Sequence, residues 1–258
     1  MLQSQRDGPV LTLTLDRPEK RNALNARLVD ALLGALTEAA TAAALRVIVL
    51  TGAGKVFSAG ADLAALQALR TASAEANLAD SARLGRLFDA LYQHPKPIIA
   101  KINGHAIAGG CGLAAVCDFS IVADHAMLGF TEVRHGFVPA LVAVFVRRKL
   151  GEAAARDLML RGHLIDAAEA TRLGLVPRAV PAANLAEAVH ALARELATQP
   201  SGTAVALTKR LLTAVPGMGW EEALSYATSL NALARSTDDC QAGIAAFLDK
   251  TDPPWRAH

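Results

Sequence analysis

The sequence predicts a mixed α/β protein: a parallel, helix-covered sheet followed by a C-terminal helical region. Three observations carry this. Short apolar runs that end at glycine, such as "RVIVLTG" and "KPIIAKING", read as strands buried on both faces. Helical-period segments alternate with them through short links, the pattern of βαβ units. From about residue 141 onward the pattern is almost entirely helical. The 258 residues fit one large domain or a domain with an appendage, and the 52% apolar content is enough for a sizeable core.

In chain order, "VLTLTLD" (10–16) alternates apolar and polar residues, which predicts a half-buried strand. Pro18 ends it, and Asn25 is placed to cap a helix over 26–43. "RVIVLTG" (46–52) is a buried strand, and "GAGKVFSAGAD" is the loop after it, with Asp62 able to cap a helix. A long helix is expected over 74–92, then a strand in 96–104. "GHAIAGGCGLAAVCD" (104–118) follows, and then a strand at 118–124. Helices are expected at 142–150, 152–160, 166–173, 184–198, 201–214, 219–235 and 238–248, with one short strand in "LVPRAV". This divides the chain into a core over 1–195 and a helical region over 196–258.

A net charge of +2 with mixed acids and bases gives no electrostatic case for nucleic acid. No apolar run approaches the roughly 20 residues that cross a bilayer, and "MLQSQRDGPV" lacks a signal-peptide core. Cys111, Cys117 and Cys240 are scattered, out of metal-ligand spacing, and odd in number. The expectation is a cytoplasmic protein with reduced thiols, no metal and no membrane partner.

Ligands of open α/β sheets sit at the carboxyl ends of strands, and two glycine-rich stretches lie there. "TGAGKVFSAGAD" is neither a dinucleotide fingerprint, because Phe57 replaces the third glycine, nor a Walker loop. Ser58 in "FSAG" lacks the preceding glycine of a nucleophile elbow. In "AIAGGCG", Gly109 and Gly110 precede the helical "CGLAAVC". Free N–H groups and the dipole at a helix start suit an oxyanion hole. Close helix packing explains the same glycines, and periodicity alone leaves both open.

Taken together, "RPEKRNALN", "VFSAGADL", "NGHAIAGGCGLAAVCD" and "GFTEVRHGFVPA" resemble, in order and spacing, the crotonase superfamily, the enoyl-CoA hydratase/isomerase family. The resemblance spans nearly the whole chain. It implies a crotonase-like ββα spiral core with a C-terminal helical trimerisation region, assembled as a homotrimer or homohexamer. It implies an acyl-CoA thioester substrate, with CoA arriving as part of the substrate and no separate cofactor. Carried onto this chain, the backbone N–H groups of Ala61 and Gly109 hold the thioester oxygen, and Gly110 lies beside them. Ala23, Leu24, Ala59, Asp62 and Leu63 fall in the stretches that line the CoA site, with Asp62 also expected as a helix cap. Lys20 and Arg21 stand near phosphates or on solvated surface.

Two-carboxylate hydratases of this family carry one glutamate just after the glycine pair and another in a later loop. The later one is present as Glu132. At the earlier position stands Gly112. One carboxylate must then serve both water and enolate in a hydratase, or suffices alone for a Δ3-Δ2-enoyl-CoA isomerase. A non-catalytic acyl-CoA-binding protein is a third reading. The "TEVR…G…PA" pattern favours the hydratase. His105, Arg134 and His135 flank these motifs, tuning Glu132, contacting an acyl carboxylate, or serving packing and surface. Acyl length is expected to depend on residues 64–90.

Overall fold

The computed structural model describes residues 1–256, and the expected α/β class holds. Among the described residues, ten strands form two sheets. The larger has the order β1 (Leu2–Asp7), β2 (Val10–Leu15), β3 (Val47–Gly52), β5 (Ile98–Ile102), β7 (Phe119–Ala123) and β10 (Arg178–Val180). Only the β1–β2 pair is antiparallel; the rest are parallel. The smaller sheet has the order β4 (Val56–Ser58), β6 (His105–Ile107), β8 (Met127–Gly129) and β9 (Ile165–Asp166). Its links are parallel except β8–β9.

The chain therefore climbs in a ββα spiral. Each of three turns gives one strand to the large sheet and the next to the small one. Helices α2 (Leu63–Leu69) and α3 (Ala74–Tyr92) follow β4, α4 (Gly109–Val116) follows β6, and α5 (Ala140–Arg161) follows β8. This corrects the simpler strand–helix alternation, in which β1, β4, β6, β8 and β9 went unread. Residues 105–107, given no element from sequence, form β6, and Gly109 and Gly110 already belong to the first turn of α4.

Every residue of β3 is buried. Its Ile48 and Leu50 face the main core with α1 (Ala26–Thr41), α3 and α4, while Val47 and Val49 face α7 (Leu185–Thr198) through Val189 and Ala193. The Asn25 side chain caps α1, accepting from the Leu28 N–H at 2.9 Å. The two helices expected at 142–150 and 152–160 are both present, as the halves of α5 that meet at a break at Gly151, whose φ of 74° only glycine adopts readily. The expected helices 166–173, 201–214, 219–235 and 238–248 appear as α6 (Ala167–Arg172), α8 (Gly202–Ala214), α9 (Trp220–Arg235) and α10 (Asp238–Asp249).

The division drawn between residues 195 and 196 lies in the last turn of α7, which packs on the large sheet. Helices α8 to α10 follow it. They leave Trp220, Leu224, Leu233, Ile244, Phe247 and Leu248 exposed. Among the described residues, no helix is long and apolar enough to cross a membrane.

Candidate active site

Two loops from successive turns of the spiral are pressed together at the carboxyl ends of β4 and β6. The contact needs glycine. A Cβ on Gly60 would stand 2.9 Å from the Ile107 carbonyl oxygen and 3.1 Å from the Gly109 nitrogen. A Cβ on Gly110 would collide with the Ser58 carbonyl. Gly110 is thus buried against β4, which makes it a packing position. The packing reading of the glycines holds: close approach brings the α4 N-terminus against the Ala61 loop.

The Ala61 loop is held by backbone pairing with the segment before α1. Leu24 N–H donates to the Gly60 carbonyl at 2.7 Å, and Asp62 N–H donates to the Leu24 carbonyl at 2.9 Å. Ala59 N–H donates to the Arg21 carbonyl at 3.0 Å. The Ala61 N–H, between these bonds, donates to no backbone acceptor among the described residues, and Ala61 is exposed. Gly109 opens α4, so its N–H has no acceptor within the helix. Ala108, just before it, has φ 53° and ψ −126°, a region that L-residues other than glycine rarely occupy. Such a conformation costs on the order of 1–3 kcal/mol and persists only where the surroundings impose it. Here Ala108 N–H is tied to the Gly129 carbonyl at 2.8 Å and its own carbonyl accepts from Gly112 N–H at 3.0 Å.

The tie to Gly129 also sets Glu132, three residues further along. Glu132 begins a 3-10 turn through His135, closed by Gly136 at φ 76°. Its carboxyl is half-buried, and one oxygen, Oε2, is buried with no hydrogen-bond partner. Burial pushes this carboxyl above the usual glutamate range, opposed only by its own backbone N–H. It lies close enough to α4 for its charge to act on Cys111, whose thiol burial pushes up to about 12. Cys111 is therefore no nucleophile.

At the position of the absent glutamate, Gly112 is fully enclosed. A Cβ there would collide with Val142 of α5 and stand 3.2 Å from the Phe88 ring of α3. The second carboxylate is not merely missing; its space is occupied.

The remaining expected residues divide by task. Asp62 caps α2, accepting from Ala64 and Ala65 N–H at 2.9 and 3.4 Å, and pairs with Arg17 at 2.7 Å. Burial alone would raise its carboxyl, but bonds from Arg17 and these amides outweigh it and hold the pKa low. The carboxylate is thus committed to shaping the loop. Ala23 and Leu24 are buried, and Leu63 is 82% exposed. Ser58 is buried, and its hydroxyl donates to the Asn22 carbonyl at 2.9 Å. His105 Nδ1 accepts from Met127 N–H at 3.0 Å, and Arg134 donates to the Arg161 carbonyl at 3.3 Å, so neither engages Glu132. Lys20, Arg21 and His135 are exposed.

Two positioning residues escaped the sequence reading. Arg17 donates to both Asp62 and the Ala23 carbonyl (2.6 Å). Asn22 is fully buried at φ 55° and donates to the carbonyls of Ala53 and Val56 at 2.9 and 2.7 Å. The one available signal was a run of polar side chains, "RPEKRN", at the carboxyl end of a strand.

A cavity of about 600 Å³ is lined by Leu63, Leu66, Leu69 and Phe137 together with Gln67, Arg70, Asn77 and Ser81. Leu63 stands two residues past Ala61, and Phe137 N–H donates to the Glu132 carbonyl at 3.0 Å. Of the expected site residues, Leu63 lines it. A second cavity of about 650 Å³ lies at the other end of α4, under α5 and α8, and none of the expected site residues lines it.

Comparison with known proteins places this geometry. Residues 5–258 match the family model described as enoyl-CoA hydratase/isomerase. A Thermus thermophilus protein named "Putative enoyl-CoA hydratase" is 46% identical, covering 98% of this chain and 99% of its own. A carnitinyl-CoA dehydratase of Salmonella arizonae is 37% identical over 100% of this chain and 98% of its own. The crystal structure of an enoyl-CoA hydratase from Bacillus anthracis superposes with a TM-score of 0.90, at 30% identity, covering 100% of this chain and 99% of that one.

Proposed function

The chain belongs to the enoyl-CoA hydratase/isomerase family, and from that membership we propose how it acts: as an enoyl-CoA hydratase in which Glu132 is the sole catalytic carboxylate. One observation carries this reading. A half-buried carboxylate has a partnerless oxygen, and two N–H groups, of Ala61 and Gly109, donate to no backbone acceptor among the described residues.

The acyl-CoA thioester binds with its carbonyl oxygen between the Ala61 and Gly109 N–H groups. The segment containing Ala23, Leu24, Ala59 and Leu63 lies along the CoA and its thioester, with Lys20 and Arg21 at the phosphates. Glu132, as carboxylate, takes a proton from water as the oxygen attacks C3. The C2–C3 π electrons move onto C2 and the thioester oxygen, and the two N–H groups stabilise the resulting enolate. The Glu132 carboxylic acid then returns that proton to C2, which restores the carboxylate and completes addition of one water. A pKa raised by burial suits a group that must both take and give the proton. Neither step calls for a metal or redox group, so we expect no cofactor beyond the CoA of the substrate.

The enclosure of Gly112 by Val142 and Phe88 gives the isomerase reading its support, because one carboxylate is all it needs. Crotonyl-CoA hydration, followed by loss of the conjugated thioester absorbance beside a 3-enoyl-CoA assay, separates the two. Rapid loss with crotonyl-CoA supports the hydratase; conversion of the 3-enoyl substrate alone would make this an isomerase.

The exposed apolar side chains of α9 and α10 support a homotrimer or a pair of trimers, since patches of this kind are rarely left to water. A monomer by light scattering at micromolar concentration would overturn that. Three cysteines without a disulfide fit a reducing, cytoplasmic setting.

A further inference from the structure

One corner of the fold backs the Glu132 segment on both sides of the carboxyl. Helix α5 ends at Arg161, and Gly162 turns the chain toward β9 at φ 60°. Ahead of Glu132, a Cβ on Gly129 would stand 2.5 Å from the His163 carbonyl oxygen, so the end of β8 lies directly against this corner. Beyond Glu132, a Cβ on Gly162 would stand 2.8 Å from Val133 Cγ2 and 3.2 Å from Arg134 Cγ. Arg134 Nε adds a bond to the Arg161 carbonyl at 3.3 Å. The Gly129 carbonyl in turn accepts from Ala108 N–H at 2.8 Å, beside the α4 N-terminus. Glu132 Oε2 has no hydrogen-bond partner among the described residues, so the place of the carboxyl rests on the turn that carries it and on what that turn leans against.

Resting on the hydratase reading above, we propose that Gly162 is a positioning residue for Glu132: carrying no side chain, it lets the end of α5 press against Val133 and so fixes where the carboxyl stands. A methyl carbon at 162, only 2.8 Å from Val133, falls well inside the usual carbon–carbon separation of roughly 3.5–4.0 Å, and the turn must give way. A misplacement of about 1 Å can cost roughly 10²-fold in rate. None of the residues assigned to the CoA or to the thioester oxygen is among the atoms that such a methyl group would meet first, so substrate binding is spared.

The experiment measures crotonyl-CoA hydration by the wild type, Gly162→Ala, Val133→Ala and the double variant. Gly162→Ala should lower kcat roughly 10- to 100-fold, with KM within about twofold of wild type, because the contact acts on the chemical step and not on uniform binding. In the double variant the smaller side chain at 133 makes room for the methyl group, and most of kcat should return although the unfavourable φ at 162 persists. A merely structural glycine would lower the melting temperature and leave kcat of the folded enzyme unchanged. Wild-type kcat in Gly162→Ala, or a loss that the double variant does not recover, would overturn the proposal. Val133→Ala opens the same contact without backbone strain and keeps the test decisive if Gly162→Ala does not fold: kcat should fall several-fold, and a wild-type value would overturn it. Hydrogen exchange over residues 130–138, read by mass spectrometry, separates the proposal from the chemistry. It should quicken in Gly162→Ala and slow again in the double variant. If it does so while no variant hydrates crotonyl-CoA, the positioning of the turn stands and the hydratase reading falls. If exchange there is unchanged in Gly162→Ala, the positioning falls whatever the turnover.

Discussion

The two ends of α4 are built to opposite standards. At the N-terminal end polar groups are left unpaired among the described residues: the Ala61 and Gly109 N–H groups lack acceptors, Glu132 Oε2 lacks a donor, and Ala108 sits at φ 53°. At the C-terminal end the charges are answered. Asp118 accepts from Lys209 Nζ at 2.6 Å and from Ile98 N–H at 2.8 Å, and Lys149 Nζ donates to the Ala115 carbonyl at 3.0 Å. Burial still raises the Asp118 carboxyl, though Lys209 opposes it, and burial lowers the Lys149 ammonium. One eight-residue helix thus joins a site prepared for an absent charge to an anchor whose charges are already matched. The comparison teaches that burial by itself does not mark function here. What separates the ends is whether the buried group has been given a partner.

That contrast can be broken most directly at Glu132. Glu132→Gln should lower kcat by roughly 10²–10⁴, the usual worth of general acid–base catalysis, while acyl-CoA binding measured by titration changes little. Undiminished turnover would remove Glu132 from the mechanism. At the other end, Lys209→Met strands Asp118 and should cost about 3 kcal/mol, the lower part of the range for breaking a buried pair, seen in denaturant unfolding. Its kcat/KM should stay near wild type, and a selective loss of kcat in a stable variant would erase the distinction between the ends. Gly112→Glu should not raise hydration, and it should destabilise by at least about 1–3 kcal/mol as overpacking does. A gain in kcat would show that Val142 and Phe88 yield more readily than their contacts imply.

The smallest effects come from the pH dependence of Glu132. A carboxyl raised above its ordinary 4.5 is ionised against the preference of the fold. Its neutral form contributes stability that is full below the unfolded value and is lost as pH rises through the folded one. Glu132→Gln, which carries no charge, should therefore melt slightly above wild type at pH 7, with the gain vanishing at pH 4 in matched thermal scans. Hydration should fall on the acid side with a midpoint above the ordinary glutamate value, because the attacking step needs the carboxylate.

Much of the large sheet and nearly every helix could be read from sequence, because strands buried on both faces are continuous apolar runs and the helices keep their period. The small sheet could not. β4, β6 and β8 have three residues each, too few to display a period of two, and they owe their pairing to the spiral. β1 has no apolar alternation, being polar and mostly exposed along its length. Of the site, Glu132, Ala61 and Gly109 were reached through motif resemblance. The Arg17–Asp62 pair, 45 residues apart, and the buried Asn22 depend on tertiary contacts that no local window contains. The occupant of the Gly112 space was equally hidden, since Val142 lies 30 positions downstream in a helix whose face the sequence did not orient.

The packing around Gly112 also bears on what this protein can become. A glutamate introduced there first meets Val142; a smaller residue at Val142 introduced first leaves a hole beside Phe88 and improves nothing. Each single step is a loss, and only the pair together offers room for a second acid. A lineage carrying this arrangement is fenced in by sterics: selection for faster turnover would find shorter routes through the acyl pocket or the Glu132 turn than through the position where a second carboxylate would stand.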